Sequence, residues 1–450
     1  MATLADLRYV PEFRVIINDE PIPAALRASI SSVSYETGLE GADRVEITLV
    51  NENLRWLDNP LFALDNALTL ALGYAPGPLE RVFVGEIVGQ NATFPSSGTP
   101  TLTVAAQDRR HRLQQGTKAR WFAVPTPFSG KLPLPDQTVA SIVSLENALI
   151  PLFEPIGAVL AVLVGGVEVF LAWGDPDTMQ GLIRKQVGEN DFTFLTRIAA
   201  ENGWEMVVDH NSSLGEHTLR FMSPLAHLAP DVTLKYGRSL IDFTPRLSDV
   251  GQVVGVTVRL WQPNLKMEFT VTASWDYERN SLDLTISPGF GGLGASGQTP
   301  QERKQELDEM IDIAQALEQG KKVQELQKMR DKVGKPTAIL TLVEEPVTLA
   351  SAGRVILSKL IPSLNKRLTG SGNTIGDPRI KAGSVLRLEG LGEQFGGLYR
   401  VTSAKHTIDS GGYQTNFDVR KEVWFGSIPL VEQGAVQARV LGERIGRVDL

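Results

Sequence analysis

The chain has 450 residues, a net charge of −8, 42% apolar and 21% charged residues, and no cysteine. Length and composition are those of a soluble globular chain of about three domains. The missing cysteine excludes disulfide stapling and thiol-based metal or nucleophile chemistry without fixing a compartment. An acidic balance without a basic block leaves binding to DNA or RNA without its electrostatic source.

Met1 to Phe13 carries no basic cluster followed by an apolar core, so no signal peptide is read there, and synthesis and folding in the cytosol are expected. Val33 and Tyr35 then lie in one alternating run, a polar loop follows from Glu40 to Asp43, and Val45, Ile47 and Leu49 alternate again. Period-two alternation is the mark of a strand with one buried face. Leu68, Leu70 and Leu72, the block Val82 to Ile87 around Gly85, and Thr101 to Ala105 complete a first small β-barrel over residues 1–120. It ends in the charged run Gln107 to Leu113.

Residues 121–233 read as an α/β module. After a Pro-rich loop, Val139, Ile142, Val143, Leu145 and Leu149 predict a helix stopped before Pro151. Ile156 to Trp173 is almost wholly apolar, but Gly165-Gly166 divides it and Glu168 would sit inside any span. A core hairpin is therefore expected rather than a membrane segment. A second helix opens at Asn190 or Asp191, closes at Gly203, turns Phe194, Leu195 and Ile198 to one face, and leads into a strand from Glu205 to Val208.

From residue 234 the first plan returns. Ile241 and Phe243 alternate, a loop runs from Ser248 to Gly251, and Val254, Val256 and Val258 alternate next; Val385 to Leu388, Gly397 to Val401 and Gln414 to Val419 close the set. Gly85 stands 18 residues before Thr103, and Gly397 stands 19 before Asn416. The second barrel is thus expected over 234–262 and 336–426, interrupted by 263–335. That insertion holds strands at Met267 to Ala273 and Leu282 to Ile286, a Gly-rich linker from Pro288 to Gln298, and a helix capped by Thr299 with Pro300 at its first position and Glu302 completing a capping box. Residues 427–450 form a C-terminal tail. The fold class is mainly β with α+β insertions: two tandem-related small, tube-like β-barrel domains, the second discontinuous, plus peripheral α/β modules.

Several segments carry a family resemblance: Trp56 to Phe62, Glu80 to Ile87, Gly98 to Val104, Asp108 to Leu113, Asp191 to Leu195, Ile375 to Gly383, and Gly397 to Val401 leading to His406 and Gly412 to Phe417. In this order they resemble the late control protein D group of contractile-phage tail hubs, whose fold is shared by the N-terminal part of VgrG spike proteins. The resemblance implies a baseplate hub: a homotrimer whose two barrels per subunit imitate a six-membered ring. It would adapt symmetry between a hexameric inner tube protein and a trimeric spike, beside baseplate wedge proteins, in a phage virion or a contractile injection particle assembled in the bacterial cytoplasm. Only about 24 residues follow Gly426, so the spike is expected to be a separate protein.

Chemistry is weaker in the sequence. His111, His210, His217, His227 and His406 show no metal-ligand spacing, and His406 has no serine elbow or cysteine beside it, so a hydrogen-bonding role is expected. Gly289 to Gly297 lacks the Gly-Lys-Ser/Thr ending of a phosphate loop. Gly85 and Gly397 are read as places where a strand bends or another backbone comes close. No catalytic, cofactor-binding or metal site is assigned, and no cofactor. The rival expectation is a tail-associated cell-wall hydrolase or carbohydrate-active β protein, suggested by scattered carboxylates such as Asp175, Asp177, Glu344 and Glu345 and by Trp173, Trp204, Trp261 and Trp275.

Overall fold

The computed structural model describes residues 10–125, 131–154, 176–223, 227, 229–248, 255–262, 267–276, 281–289, 308, 339–342, 359–360, 362–422, 435–440 and 443–449. The chain divides into two compact units, Met1–Ser248 with Asn365–Val431, and Asp249–Leu364 with Glu432–Leu450. The architecture is mainly β with large antiparallel sheets, as the alternation predicts.

In the first unit the alternating runs become β1 (Val10–Ile17), β2 (Glu20–Pro21), β3 (Ile30–Gly38), β4 (Arg44–Val50), β5 (Ala67–Ala75), β6 (Glu80–Thr93) and β7 (Thr101–Gln107). Val45, Ile47 and Leu49 of β4 are almost fully buried, as are Leu68, Leu70 and Leu72 of β5. Each such side chain contributes roughly 1.5–3 kcal/mol on leaving water, so the one-sided pattern fixes the register. Gly85 lies where a Cβ would strike the Gln107 carbonyl and the Phe83 ring, which confirms the close approach expected there.

The α/β module follows: β8 (Lys118–Pro125), β9 (Lys131–Pro133), the helix Asp136–Glu146, β10 (Ile150–Phe153), β11 (Arg184–Glu189), the helix Asp191–Glu201, β12 (Glu205–Asp209) and β13 (Thr218–Met222). Asn190 caps the second helix by accepting from the Thr193 N–H at 2.8 Å, and Gly203 leaves it at φ 66°. The first helix is one turn shorter than its apolar spacing suggests. Val139, Ala140 and Val143 are its buried face, Leu145 is exposed, and Leu149 is buried beyond the helix end. Pro151 sits inside β10, which pairs in parallel with β13.

The rest of the first unit holds β14 (Val232–Lys235) and β15 (Leu240–Leu247). The second unit holds β16 (Gly255–Gln262), β17 (Met267–Asp276), β18 (Ser281–Gly289) and β19 (Ile339–Leu342), one sheet in the order β18-β17-β16-β19. The chain then returns to the first unit with β20 (Leu368–Ile375), β21 (Val385–Glu389), β22 (Gly397–Asp409) and β23 (Gly412–Arg420), and closes in the second with the hairpin β24 (Ala435–Val440) and β25 (Glu443–Asp449). β16, which takes up Val256 and Val258 of the alternating run, stands in the second unit's sheet, and that unit spans Asp249–Leu364 with Glu432–Leu450.

The strand that the sequence pattern missed is β20. Counted through the ladders, Gly370 and Gly372 stand where β4 has Val45 and Ile47. A Cβ at either glycine would collide with the ring of Phe243 or Phe417. Large residues on both neighbouring strands fill the space that β4 fills itself, so β20 has no apolar alternation to read.

With β20 in place, one strand plan occurs twice. The antiparallel order β3-β4-β7-β6-β5 is matched by β15-β20-β23-β22-β21. Both copies carry a register shift early in the first strand, at Ile30/Ser32 and at Leu240/Asp242. Both carry another midway along the fourth, at Ile87/Gly89 and at Val401/Ser403. Even the turn before the fifth strand agrees. Ile87 donates to the Asn66 carbonyl and accepts from Asp65, as Val401 does with Ser384 and Gly383, and Asp65 and Gly383 share positive φ values of 67° and 83°. In this register Gly85 corresponds to Tyr399 rather than to Gly397. The copies differ in the strand preceding the first: β1 joins β5 antiparallel, whereas β14 joins β21 in parallel.

The apolar hairpin expected over 156–173 lies outside the described residues, as does the helix after Thr299 save for Asp308, which is helical. So does the Gly-rich linker beyond Gly289. Among the described residues no helix is long and apolar enough to cross a membrane.

Candidate functional site

The two copies of the plan are joined edge to edge. β22 pairs antiparallel with β3, setting Ile408 opposite Val33, His406 opposite Tyr35, Lys405 opposite Glu36 and Ala404 opposite Thr37. The join makes one continuous sheet running from β15 to β2. Ile408 and Tyr413 accordingly pack into the same apolar cluster as Val33, Tyr35 and Phe83.

On the buried face of this seam His406 is wholly enclosed and lies stacked on Tyr35, with ring centroids 5.5 Å apart and planes at 21°. Its Nε2–H donates to the Ile380 carbonyl at 2.8 Å, and the single lone pair of Nδ1 faces the Tyr413 hydroxyl at 2.9 Å and the Thr415 hydroxyl at 3.0 Å. The carbonyl partner fixes the tautomer. Burial pushes the imidazole down to about 4, against an ordinary value of 6.5. The ring is therefore neutral in the fold, and it takes the hydrogen-bonding role expected from its sequence context.

The sign of the pH effect follows. The folded state disfavours the proton, so this contribution is complete above pH 6.5 and is lost as pH falls from 6.5 toward 4. The depression corresponds to about 3 kcal/mol. Urea denaturation should show a stability drop of that order across the window, and His406→Asn should flatten it. An equally steep dependence in the variant would assign the drop to other groups.

A second buried cluster fastens the module to the sheet. Asp43 ends the loop before β4, Asp108 follows β7, and Arg110 stands in the short turn Arg110–Leu113; all three are almost inaccessible. Arg110 forms ion pairs with both carboxylates, 2.9 Å in the case of Asp108, and also reaches the carbonyls of Gly38 and Met206. The Asp43 backbone N–H donates to Asp108 at 2.8 Å, and the Tyr35 hydroxyl donates to Asp43 at 3.1 Å. His210, just after β12, accepts from the Val84 N–H at 3.1 Å through Nδ1, so its Nε2 carries the proton and faces Asp43 at 3.2 Å. Burial alone would raise the Asp43 carboxyl, but Arg110, His210 and Tyr35 outweigh it and hold the group below its ordinary value. Burial, then Asp43, pushes the Tyr35 phenol up.

The sequence spacing shows no metal set, yet Asp43, Asp108 and His210 bring their ligand atoms within 4.8 Å of one another. The guanidinium of Arg110 already supplies the positive charge there, and the His210 nitrogen facing Asp43 is protonated. This arrangement suits a structural clamp rather than a cation site. His227 and Asp231, four apart, also meet, 3.0 Å from Nε2 to Oδ2, in an exposed segment before β14. His111 contacts the Asp108 carbonyl at 2.7 Å, and His217 directly precedes β13. Trp204 is buried against Phe153 and Phe221 instead of lining a groove. Nothing in the sequence pairs Asp43 with Arg110; the one hint is that a charged run follows an alternating strand directly.

A third cluster lies in the second copy, at the positions that Glu86 and Arg109 hold in the first. Arg400, fully buried, donates to Glu422 at 2.7 Å, to the Gly383 carbonyl at 2.9 Å and to the His227 carbonyl at 2.9 Å. Arg420 bridges Glu422 at 2.9 Å to Glu205 of β12. Both clusters thus tie the module to one copy of the plan.

The fold is that of two solved tail proteins. One is a prophage MuSo2 43 kDa tail protein from Shewanella oneidensis, with 13% identity, a TM-score of 0.55 and coverage of 91% of this chain and 98% of the other. The second is a tail protein from Neisseria meningitidis MC58, with 10% identity, a TM-score of 0.53 and coverage of 93% of this chain and 99% of the other. No protein-family model matches the sequence, and no curated protein sequence does.

Proposed function

We propose that the chain is a non-enzymatic structural hub of a contractile phage tail or a phage-like injection particle. Three copies form a ring with pseudo-sixfold symmetry that joins the hexameric inner tube protein to a separate trimeric spike, with baseplate wedge proteins around it. The observation that carries this reading is the doubled strand plan, with both register shifts at matching positions. Two near-equivalent modules in one chain let a threefold assembly offer six similar docking surfaces, which a threefold object cannot otherwise do for a sixfold partner. The fold shared with tail proteins supports the same setting. His210, His406, Asp43, Asp108 and Glu422 hold strands and module together, which supports action through geometry.

Light scattering of the purified chain should give three times the 49.0 kDa of the monomer, and projection images should show a ring with a central opening. A strictly monomeric particle without an opening would overturn the proposal.

A further inference from the structure

We infer that the ring closes by strand addition. The segment 89–94, in and just beyond β6 of one copy, pairs antiparallel with β15 of the next, repeating between molecules the join that β22 and β3 make within one. This rests on the trimeric reading above, and the doubled strand plan supplies its template. Counted through the ladders, β6 is the counterpart of β22 and β15 the counterpart of β3. Within the chain the segment of β22 past its register shift lies on β3. Among the described residues the matching segment of β6, Gly89 to Thr93, pairs only with β7, and β15 beyond the isolated Leu240–Tyr236 bridge pairs only with β20. Among the described residues each copy therefore ends in two complementary open edges.

Burial tells the same story. Ala404, His406 and Ile408 are covered by β3, whereas their counterparts Gln90, Ala92 and Phe94 lie partly or largely open, Phe94 at 58%. On the other edge Val33, Tyr35 and Thr37 are buried, while their counterparts Phe243, Pro245 and Leu247 are not, Leu247 at 42%. Transferring the register sets Phe94 opposite Phe243, Ala92 opposite Pro245 and Gln90 opposite Leu247 on the inner face, with Thr93 opposite Thr244 and Asn91 opposite Arg246 on the outer. The inner face becomes apolar, as the internal seam is around Ile408 and Val33.

Backbone directions fit as well. Ser248 donates to the Arg367 carbonyl, so alternate residues 244 and 246 face β20, and 243, 245 and 247 present their backbone groups to the open edge. Pro245 has no N–H to give there, which withholds one ladder bond and blunts the edge against indiscriminate pairing. The occupant that replaces both features of the internal seam, register and apolar face, is a second copy of this chain.

Because the protein has no cysteine, a designed disulfide reports the register without background. Asn91 and Arg246 would form a non-hydrogen-bonded antiparallel pair with Cα atoms about 4.5 Å apart, within disulfide reach. The double variant Asn91→Cys/Arg246→Cys, mildly oxidised, should give covalent dimers and trimers on a non-reducing gel. It should do so at least tenfold more than Asn91→Cys/Thr244→Cys, which is two residues out of register. The pair Thr93→Cys/Thr244→Cys provides a second in-register test if the first variant fails to fold. Light scattering of the reduced variants separates the outcomes. Trimers that do not cross-link, or cross-link equally in both registers, overturn the seam and leave the trimeric hub standing. Monomers that do not cross-link overturn both.

Discussion

Arg110→Met should cost about 3–5 kcal/mol at pH 7, because removing one partner of a buried ion pair leaves its opposite charge uncompensated. Here two carboxylates are stranded, since Asp43 and Asp108 both lean on this guanidinium and are 2% and 0% exposed. Methionine keeps the volume and adds no cavity, so the loss reports charge rather than packing. Arg110 also holds the Met206 carbonyl of β12, so the α/β module should loosen from the sheet as the sheet itself weakens.

The pH dependence separates the two effects. Asp43 is held below its ordinary value in the native protein, chiefly by Arg110 against the opposing pull of burial. Without Arg110 burial prevails, the carboxyl rises, and the folded variant gains stability relative to wild type as pH falls from 7 toward 5. Urea titrations at both values should therefore show a penalty that shrinks on acidification, and limited proteolysis at pH 7 should open the segment between Leu113 and Lys118. A variant with the wild-type midpoint at pH 7 would show that the cluster carries no net stabilisation.

How far the sequence discloses this molecule depends on where bulk resides. β4 announces itself because Val45, Ile47 and Leu49 fill their own side of the sheet. Its counterpart β20 does not, because Gly370 and Gly372 yield that space to Phe243 and Phe417, residues distant in sequence. Alternation points instead to Val256 and Val258, which lie in β16 of a different sheet. Period two identifies a half-buried strand, but it does not say which sheet receives it. The clusters are less legible still. Asp43, Arg110 and His210 are joined only after two strands and a module have been placed. His406 is different, since its hydrogen-bonding role was readable from the lack of any nucleophile nearby, while its stacking on Tyr35 needed the join between β22 and β3.

The largest coupling is expected between Arg400 and Glu422, where both groups are fully buried. Glu422→Leu takes from the Arg400 guanidinium the carboxylate it pairs with among the described residues and leaves Arg420 paired with Glu205, for a loss of about 3–5 kcal/mol. Arg400→Met should cost less, because the carboxylate keeps its pair with Arg420. The double variant should cost less than the sum, because an apolar pair removes the buried guanidinium together with the carboxylate it pairs with. It should not return to wild type, since the carbonyls of Gly383 and His227 lose their donor. Additive losses in a double-mutant cycle would mean that the two groups do not sense each other.

The doubled plan sharpens this expectation. Arg400 occupies the position of Glu86 in the first copy, and Glu422 follows β23 as Arg109 follows β7. Glu86 and Arg109 form an ion pair at 3.2 Å, so the same place holds the same pair with its signs exchanged. Exchanging them in the second copy, by Arg400→Glu with Glu422→Arg, should nonetheless be worse than the apolar double variant. A carboxylate at position 400 would face the carbonyl oxygens of Gly383 and His227, acceptors against acceptors in a buried setting. Glu86 avoids this because Arg112 supplies it a second cation. Urea midpoints ranked wild type, apolar double variant, then exchanged variant would show that the two copies share a backbone plan but not the polar surroundings that set each sign. An exchanged variant as stable as wild type would show the surroundings to be interchangeable as well.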